Sequence, residues 1–143
     1  MKFWSLLLFA TVLTSSVSAQ KTKLINSREL IERGIQLNDS GQYKEAIAVY
    51  NQVDRNDTNY VWSLYEKAVS CTSDSQYNQA IKYCEEGLAL RSEREHEAEL
   101  FNQYGNVLND AGQSQKALIV FDSAIKKYPS FSLLYFNKGI VYV

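Results

Sequence analysis

The sequence is poor in the residues that most catalytic sites and flexible linkers need. It has one histidine, two cysteines, one proline and six glycines in 143 residues. A single histidine, His96, cannot supply a multi-histidine metal centre, and it lies in a run of charged residues without the spacing of a known metal motif. No glycine-rich phosphate loop is present. We therefore predict a protein that is not an enzyme and that has no cofactor and no metal.

The chain also lacks a charge excess of either sign. Fifteen Lys and Arg residues stand against sixteen Asp and Glu residues, which gives a formal net charge of −1. The basic residues are scattered along the chain and form no stripe. Since a nucleic-acid or anionic-membrane surface requires a clustered positive field, we expect neither as a partner.

The one long apolar run lies at the N-terminus and has the features of a secretory signal. Lys2 gives the positive start, residues 3–13 are apolar or small, and a small-residue cleavage site ends at Ala19. The run is shorter than the roughly 20 residues that cross a bilayer as a helix, so an uncleaved anchor is the weaker alternative. We predict residues 1–19 as a signal peptide and 20–26 as a polar lead-in. The mature protein is then periplasmic or secreted and has no membrane attachment.

What the chain does contain is self-similarity. The segment NDSGQYKEAI that begins at Asn38 returns as TSDSQYNQAI from Thr72 and as NDAGQSQKAL from Asn109. The copies share an alanine, which stands at Ala46, Ala80 and Ala117. Repetition with a period of a few tens of residues is typical of stacked repeat proteins. It indicates a binding surface and not an active site.

Each copy predicts two helices joined by a tight turn. Apolar and small residues recur three and four positions apart on both sides of the repeated segment, which is helical spacing. Gly41 and Gly112 can take the positive φ that ends a first helix, whereas the middle copy has Ser75 there, so its turn is expected to be either slightly strained or differently shaped. The predicted helices are 27–39, 43–54, 61–73, 77–90, 98–111, 114–127 and 131–143.

Small residues mark where the two helices of a pair approach each other. We expect three pairs to face each other, namely Gly34 with Ala46, Ala68 with Ala80, and Gly105 with Ala117. Larger residues such as Tyr50 and Phe121 would fill the grooves beside them, each contributing about 1.5 to 3 kcal/mol when buried.

At these positions the chain resembles the tetratricopeptide repeat family. The third copy carries the family's motif residues in order, as Phe101, Gly105, Leu108, Ala117, Phe121, Ala124 and Pro129. The first copy has Thr58 in place of the proline, and the second has Cys71, Cys84 and Ser92 in motif positions. Arg33, Lys67 and Lys138 replace a leucine, and we expect their long stems to cover the same apolar surface.

The resemblance implies an all-α fold, a right-handed superhelical solenoid of antiparallel helix pairs that occupies residues 27–143. The repeats would span 27–60, 61–97 and 98–131, with a partial fourth at 132–143. The sequence stops inside that fourth repeat, so we expect further repeats or a partner chain to cover its apolar side chains. An exported interaction scaffold is the main interpretation. The alternative is the N-terminal repeat arm of a larger enzyme or sensor.

The resemblance further implies a ligand site, because the first helices of this family line a concave groove that takes peptides. The partner would be a protein or peptide. The family's clamp for chaperone C-terminal carboxylates is not expected, since Ile31, Ile35 and Glu66 stand where it needs Lys and Asn. The candidate groove residues are Ile31, Ile35, Trp62, Tyr65, Val69, Asn102, Asn106, Asn109 and Phe136, flanked by Arg28, Asn38, Thr72, Glu99, Leu133 and Ile140.

Two groups of these candidates each have two interpretations. Trp62 and Tyr65, one turn apart, are either rigid anchors for a partner or packing residues against the preceding repeat. The row of asparagines on the first helix of the third repeat either pairs with the backbone of an extended peptide or forms a solvated polar face. Outside the groove, we expect Cys71 and Cys84 to be buried free thiols, with a disulfide between them as the alternative.

We predict that the exported protein begins at Gln20. N-terminal sequencing of the protein from the exported fraction tests this. Ala19→Arg should leave the precursor uncut, because signal cleavage needs a small residue at that position. Gln20→Asn is the matched control and should be cleaved normally. A mature protein that retains Met1 would contradict the prediction.

Overall fold

The computed structural model describes residues 26–90 and 96–141, and these residues form seven helices without a β-strand. The predicted signal peptide lies outside the described residues, as do most of the polar lead-in, Ser92 and Tyr142. The helices are α1 (Ser27–Asp39), α2 (Tyr43–Tyr50), α3 (Tyr60–Ser73), α4 (Tyr77–Ala89), α5 (Glu97–Asp110), α6 (Ser114–Lys127) and α7 (Ser132–Gly139).

Five of the seven helices match the predicted bounds within one residue at each end, and the ends of α2 and α7 were predicted wrongly. Helix α2 ends at Tyr50, four residues earlier than predicted. The i to i−4 bonds of the helix give way there to shorter-range turn bonds, such as the one from Val53 N to Tyr50 O. Asp54 then accepts from the backbone N of Asn56 at 2.8 Å, the kind of local side-chain bond that competes with a helix. Helix α7 ends at Gly139, where Ile140 N turns back to Asn137 O.

The three hairpin turns share one backbone conformation. Gly41, Ser75 and Gly112 have φ values of 76°, 58° and 74°. The residue after each turn donates to a carbonyl five residues back, as Gln42 N does to Leu37 O at 2.9 Å, which is the Schellman pattern of a helix C-terminus. Ser75 thus adopts the left-handed conformation that its glycine counterparts adopt without a steric penalty.

The helices form two layers. The first helices of the pairs, α1, α3, α5 and α7, contact one another in succession. The second helices, α2, α4 and α6, pack on the first helices on either side and make no contact with one another in the described part of the chain. Since the first helices are therefore the more closely spaced layer, the array curves towards them. The concave face is the side of the first helices that points away from the second helices.

The first and third hairpins each close on a large ring packed against a glycine. A Cβ built on Gly34 would overlap the ring of Tyr50, and one on Gly105 would overlap the ring of Phe121. Both rings are fully buried. The predicted partners Ala46 and Ala117 are buried one turn earlier on the same helices, and the atoms nearest to each glycine belong to the ring.

The middle hairpin fills the same space with a different pair. Cys84 follows Ala68 by sixteen residues, the spacing that separates each glycine from its ring in the other hairpins. Both residues are fully buried in one core cluster. A larger first-helix residue is therefore matched by a smaller second-helix residue. This exchange explains why the middle copy departs from the motif at Cys84.

The two thiols are free and buried, and the alternative of a disulfide is not formed. Burial raises the pKa of Cys71 to about 11 and also raises the pKa of Cys84. Since only the thiolate is a strong nucleophile, both residues are packing residues of the core.

The methylene chain of one of the three basic residues in motif positions, Lys67, covers apolar surface as expected. Lys67 is only 4% exposed, and its Nζ lies 5.6 and 5.5 Å from the ring centroids of Tyr60 and Tyr83. Burial lowers the pKa of Lys67. The other two positions differ, since Arg33 is exposed and Lys138 binds Asp122 Oδ1 at 2.6 Å.

We predict that Gly105→Ala lowers the free energy of unfolding by about 1 to 3 kcal/mol, because the added methyl group meets the Phe121 ring. Gly139→Ala is the control, since nothing lies near its added Cβ, and it should be neutral or stabilising by up to about 1 kcal/mol. Chemical denaturation measures both. In a Phe121→Cys background, which imitates the middle hairpin, the penalty of Gly105→Ala should disappear. If Gly105→Ala and Gly139→Ala changed the free energy of unfolding equally, the close contact between Gly105 and the Phe121 ring would be contradicted.

Candidate functional site

The concave face is held together by side-chain hydrogen bonds across each seam between first helices. The bonds join polar residues that the sequence places on the inner side of the array, and each spans roughly one repeat. They are Ser70 Oγ to Asn38 Oδ1 at 2.8 Å, Gln103 Nε2 to Thr72 Oγ1 at 2.9 Å, and Asn137 Nδ2 to Asn102 Oδ1 at 2.7 Å.

A polar cavity of about 250 Å³ opens on this face between α3, α5 and α7. Four of its lining side chains are carboxamides, and one is a carboxylate. It is lined by Thr72, Gln103, Asn106, Asn109, Asp110, Asn137, Ile140 and Val141. We call it the amide cavity. The predicted asparagine row contributes Asn106 and Asn109 to it, whereas Asn102 is bonded to Asn137 beside it.

The hydrogen-bond network fixes how some of these amides are oriented. Thr72 donates its hydroxyl proton to Ala68 O at 2.8 Å, so towards Gln103 it can only accept. Gln103 therefore presents its NH₂ group to Thr72 and keeps its Oε1 as an acceptor. Asn109 Oδ1 accepts from Ser114 Oγ at 2.9 Å, which leaves the Asn109 NH₂ group as that residue's available donor.

Trp62, one of the two predicted aromatic anchors, is already occupied by contacts within the chain. Its Nε1 donates to Glu66 Oε1 at 2.9 Å. Its ring stacks on His96 with 5.1 Å between centroids, and the guanidinium of Arg28 lies 5.9 Å from the ring centroid. The half-buried ring also packs on the core of the first repeat. These contacts favour the interpretation of Trp62 as a packing residue.

The carboxylate that holds Trp62 is itself poorly solvated. Burial raises the pKa of Glu66, the hydrogen bond from Trp62 lowers it, and the negative charge of Asp39 raises it further. Tyr65 is half-buried beside it, and its pKa is raised by burial, then by Glu66 and Glu99. This part of the face is thus crowded with negative charge around half-buried aromatic rings.

The remaining candidates fall into three groups. Ile31 is fully buried in the first core cluster and cannot reach a ligand in this structure, so its place on the groove surface was predicted wrongly. Ile35 and Val69 are half-buried. Phe136 is 66% exposed on α7, and its neighbours Leu133 and Ile140 are 50% and 51% exposed.

Sequence reasoning missed four residues of the cavity, namely Gln103, Asp110, Asn137 and Val141. Gln103, Asn106 and Asp110 lie at i, i+3 and i+7 of α5, so they share one helical face. The predicted row at 102, 106 and 109 is that face rotated by about one residue. The spacing of these three polar residues is the feature of the sequence that could have predicted this wall of the cavity.

Residues 26–90 and 96–141 contain no group of three or more His, Cys, Asp or Glu side chains placed to hold a metal ion. Within the same ranges, no helix has the length and apolar character needed to span a bilayer.

The chain was compared with known proteins and solved structures. No family model matches the chain. A TPR repeat-containing protein of Methanocaldococcus jannaschii is 25% identical over 122 residues, a match that covers 80% of this chain. The chain spans only 21% of the length of that relative.

Solved structures show the same fold. The second TPR domain of human RPAP3, in complex with an HSP70 peptide, has a TM-score of 0.67 at 17% identity and covers 81% of this chain and 98% of that domain. A crystal structure of MamA has a TM-score of 0.67 at 22% identity, covering 87% and 71% of the two chains. The resemblance to tetratricopeptide repeat proteins and the all-α solenoid fold predicted from the sequence are confirmed.

We predict that Glu66→Gln stabilises the protein at neutral pH. The glutamine keeps an oxygen for Trp62 Nε1 and removes a charge that burial disfavours. Since the pKa of Glu66 is raised on folding, the native-state penalty is absent below the unfolded value of about 4.3 and grows as pH rises through the folded pKa. The stability gap between variant and wild type should therefore widen from about pH 3 to pH 7. A gap in urea denaturation that does not widen with pH would contradict this.

Proposed function

We propose that this protein is an exported, non-enzymatic scaffold that binds an extended segment of another protein in its concave groove. The observation that carries the proposal is the amide cavity. It combines about 250 Å³ of space with several carboxamides whose donors and acceptors are not all used within the chain. A site of that composition suits a ligand that itself both donates and accepts.

A peptide backbone is the ligand that meets this description most simply. Each carboxamide can accept from a backbone N–H and donate to a backbone C=O at once. An extended segment has all these groups unpaired, because it lacks the internal hydrogen bonds of a helix. The fold supports the same interpretation, since the similar RPAP3 domain was solved in complex with a peptide.

The proposal assigns different roles to the two ends of the groove. The amide cavity supplies the binding groups. The Trp62 cluster, with its indole N–H and ring already in contact with Glu66, His96 and Arg28, sets the shape of the groove wall. Tyr65 and Val69 lie between the two ends and offer half-buried apolar surface.

Export is part of the proposal, and its support is the N-terminal sequence. A positive start, a short apolar run and a small-residue cleavage site are the features of a secretory signal.

A second candidate function is that of a repeat arm in a longer protein, and one observation favours it. Helix α7 presents large apolar side chains to solvent, with Leu133, Tyr135, Phe136 and Ile140 between 49% and 66% exposed. In the other three pairs a second helix packs on the corresponding first helix. In both candidates the concave groove is the binding surface.

We expect the groove to retain peptides in affinity selection. The protein, without its signal peptide, is incubated with a random library of acetylated nonapeptide amides, and bound peptides are identified by mass spectrometry. Asn106→Ala and Gln103→Ala should each weaken the selected peptides by about threefold to tenfold, the value of one hydrogen bond. The control is Gln115→Ala on the exposed surface of α6, which should have no effect. Retention unchanged in the Asn106→Ala, Gln103→Ala double variant would contradict the proposed site.

A further inference from the structure

We propose that the partner segment carries a lysine or arginine whose cationic side chain enters the amide cavity and lies beside Asp110. The inference rests on the proposed peptide-binding function and specifies the class of peptide. It goes beyond a backbone-binding groove, because the cavity then selects one kind of side chain.

The first argument is the balance of acceptors in the cavity. Gln103 turns its NH₂ group to Thr72 and keeps Oε1 available, and Asn137 gives its NH₂ group to Asn102 and keeps Oδ1 available. Asp110 adds two carboxylate oxygens that bind no cation among the described residues. An ammonium or guanidinium group is the side chain that brings several donors and no acceptor.

The second argument is the direction of the helices. The cavity is lined by Thr72 in the last turn of α3, by Asp110 at the end of α5, and by Ile140, the residue that follows α7. Three parallel helices thus bring their C-terminal ends to one place. Since the C-terminus of a helix carries a partial negative charge, all three favour a cation there.

The third argument is where the chain's own cations lie. Arg55 pairs with Glu86, Lys127 with Glu97, and Lys138 with Asp122. Lys67 is enclosed between two tyrosine rings of α3 and α4. Arg28 lies on the groove, but over Trp62 near the opposite ends of the first helices. No lysine or arginine lines the amide cavity, so the Asp110 carboxylate and the available amide oxygens are left for a partner.

The cavity also suits the stem of such a side chain. Ile140 and Val141 provide apolar wall beside the polar groups. Lysine and arginine place their methylene stems against apolar surface while the charged head meets polar groups. A metal ion is the poorer fit, because Asp110 is the only carboxylate in the lining and divalent cations prefer several charged oxygen ligands.

Affinity selection with matched peptide libraries tests the inference. Three libraries of acetylated nonapeptide amides carry only uncharged residues, except that the central position is fixed as lysine, norleucine or glutamate. The protein without its signal peptide should retain the lysine library about threefold to fivefold more strongly than the norleucine library, as an exposed charge pair provides. The glutamate library should be retained least.

Asp110→Asn should remove the preference for lysine over norleucine. The control is Asp122→Asn, which removes a carboxylate of α6 that binds Lys138 outside the cavity, and it should keep the preference. Thermal denaturation verifies that both variants are folded. The lysine preference of the wild type should also shrink when salt is raised, because the charges are partly exposed.

The outcomes separate this inference from the proposed function. If the lysine and norleucine libraries bind equally well, the groove binds peptides and the cation preference is wrong. If the preference survives in Asp110→Asn, the cation binds elsewhere and the inference is overturned. If no library is retained, the proposed peptide-binding function itself fails.

Discussion

The close contact between a second-helix side chain and a small first-helix residue is the constraint on which the rest of the structure depends. Tyr50 on Gly34 and Phe121 on Gly105 bring the two helices of a pair to a distance that no larger first-helix residue would allow. Protein interiors are packed as densely as crystals, so such a contact fixes position as well as energy. Since Ala68 and Cys84 take the corresponding positions in the middle pair, the first helices of successive pairs come into register and form one continuous face.

The fold was predictable because its signals are local and repeated three times. Helical spacing predicted most helix bounds, and the recurring turn sequence predicted three hairpins; only the structure shows that Ser75 takes the same conformation as the two glycines. The nearest neighbour of each glycine was not predictable in this way. A helical side chain leans towards the N-terminus of its helix, so the ring of Tyr50 reaches back to Gly34 from one turn beyond Ala46.

The candidate site was predicted less well, because it depends on rotations that the sequence does not display. A shift of one residue turns a helical face by about 100°, enough to exchange Asn102 for Gln103 on the cavity wall. The same uncertainty put Ile31 on the surface, although it is fully buried. Trp62 shows a different limit. A large aromatic residue reads as a ligand anchor in the sequence, and only the contacts with Glu66 and His96 reveal that it is occupied.

The repeat architecture also explains why the two ends of the groove differ in chemistry. Because the first helices are parallel, their N-terminal ends lie along one edge of the concave face and their C-terminal ends along the other. Trp62 and Thr72, near opposite ends of α3, are about 15 Å apart along the helix axis. The edge near Trp62 carries Glu99 in the first turn of α5, where the positive end of the helix dipole stabilises a carboxylate, whereas Glu66 lies in the middle of α3 and its charge is disfavoured by burial. The edge at the amide cavity has the opposite dipole, yet Asp110 adds a further negative charge there. That arrangement opposes the dipole preference within the isolated chain, and a cation from a partner would relieve it.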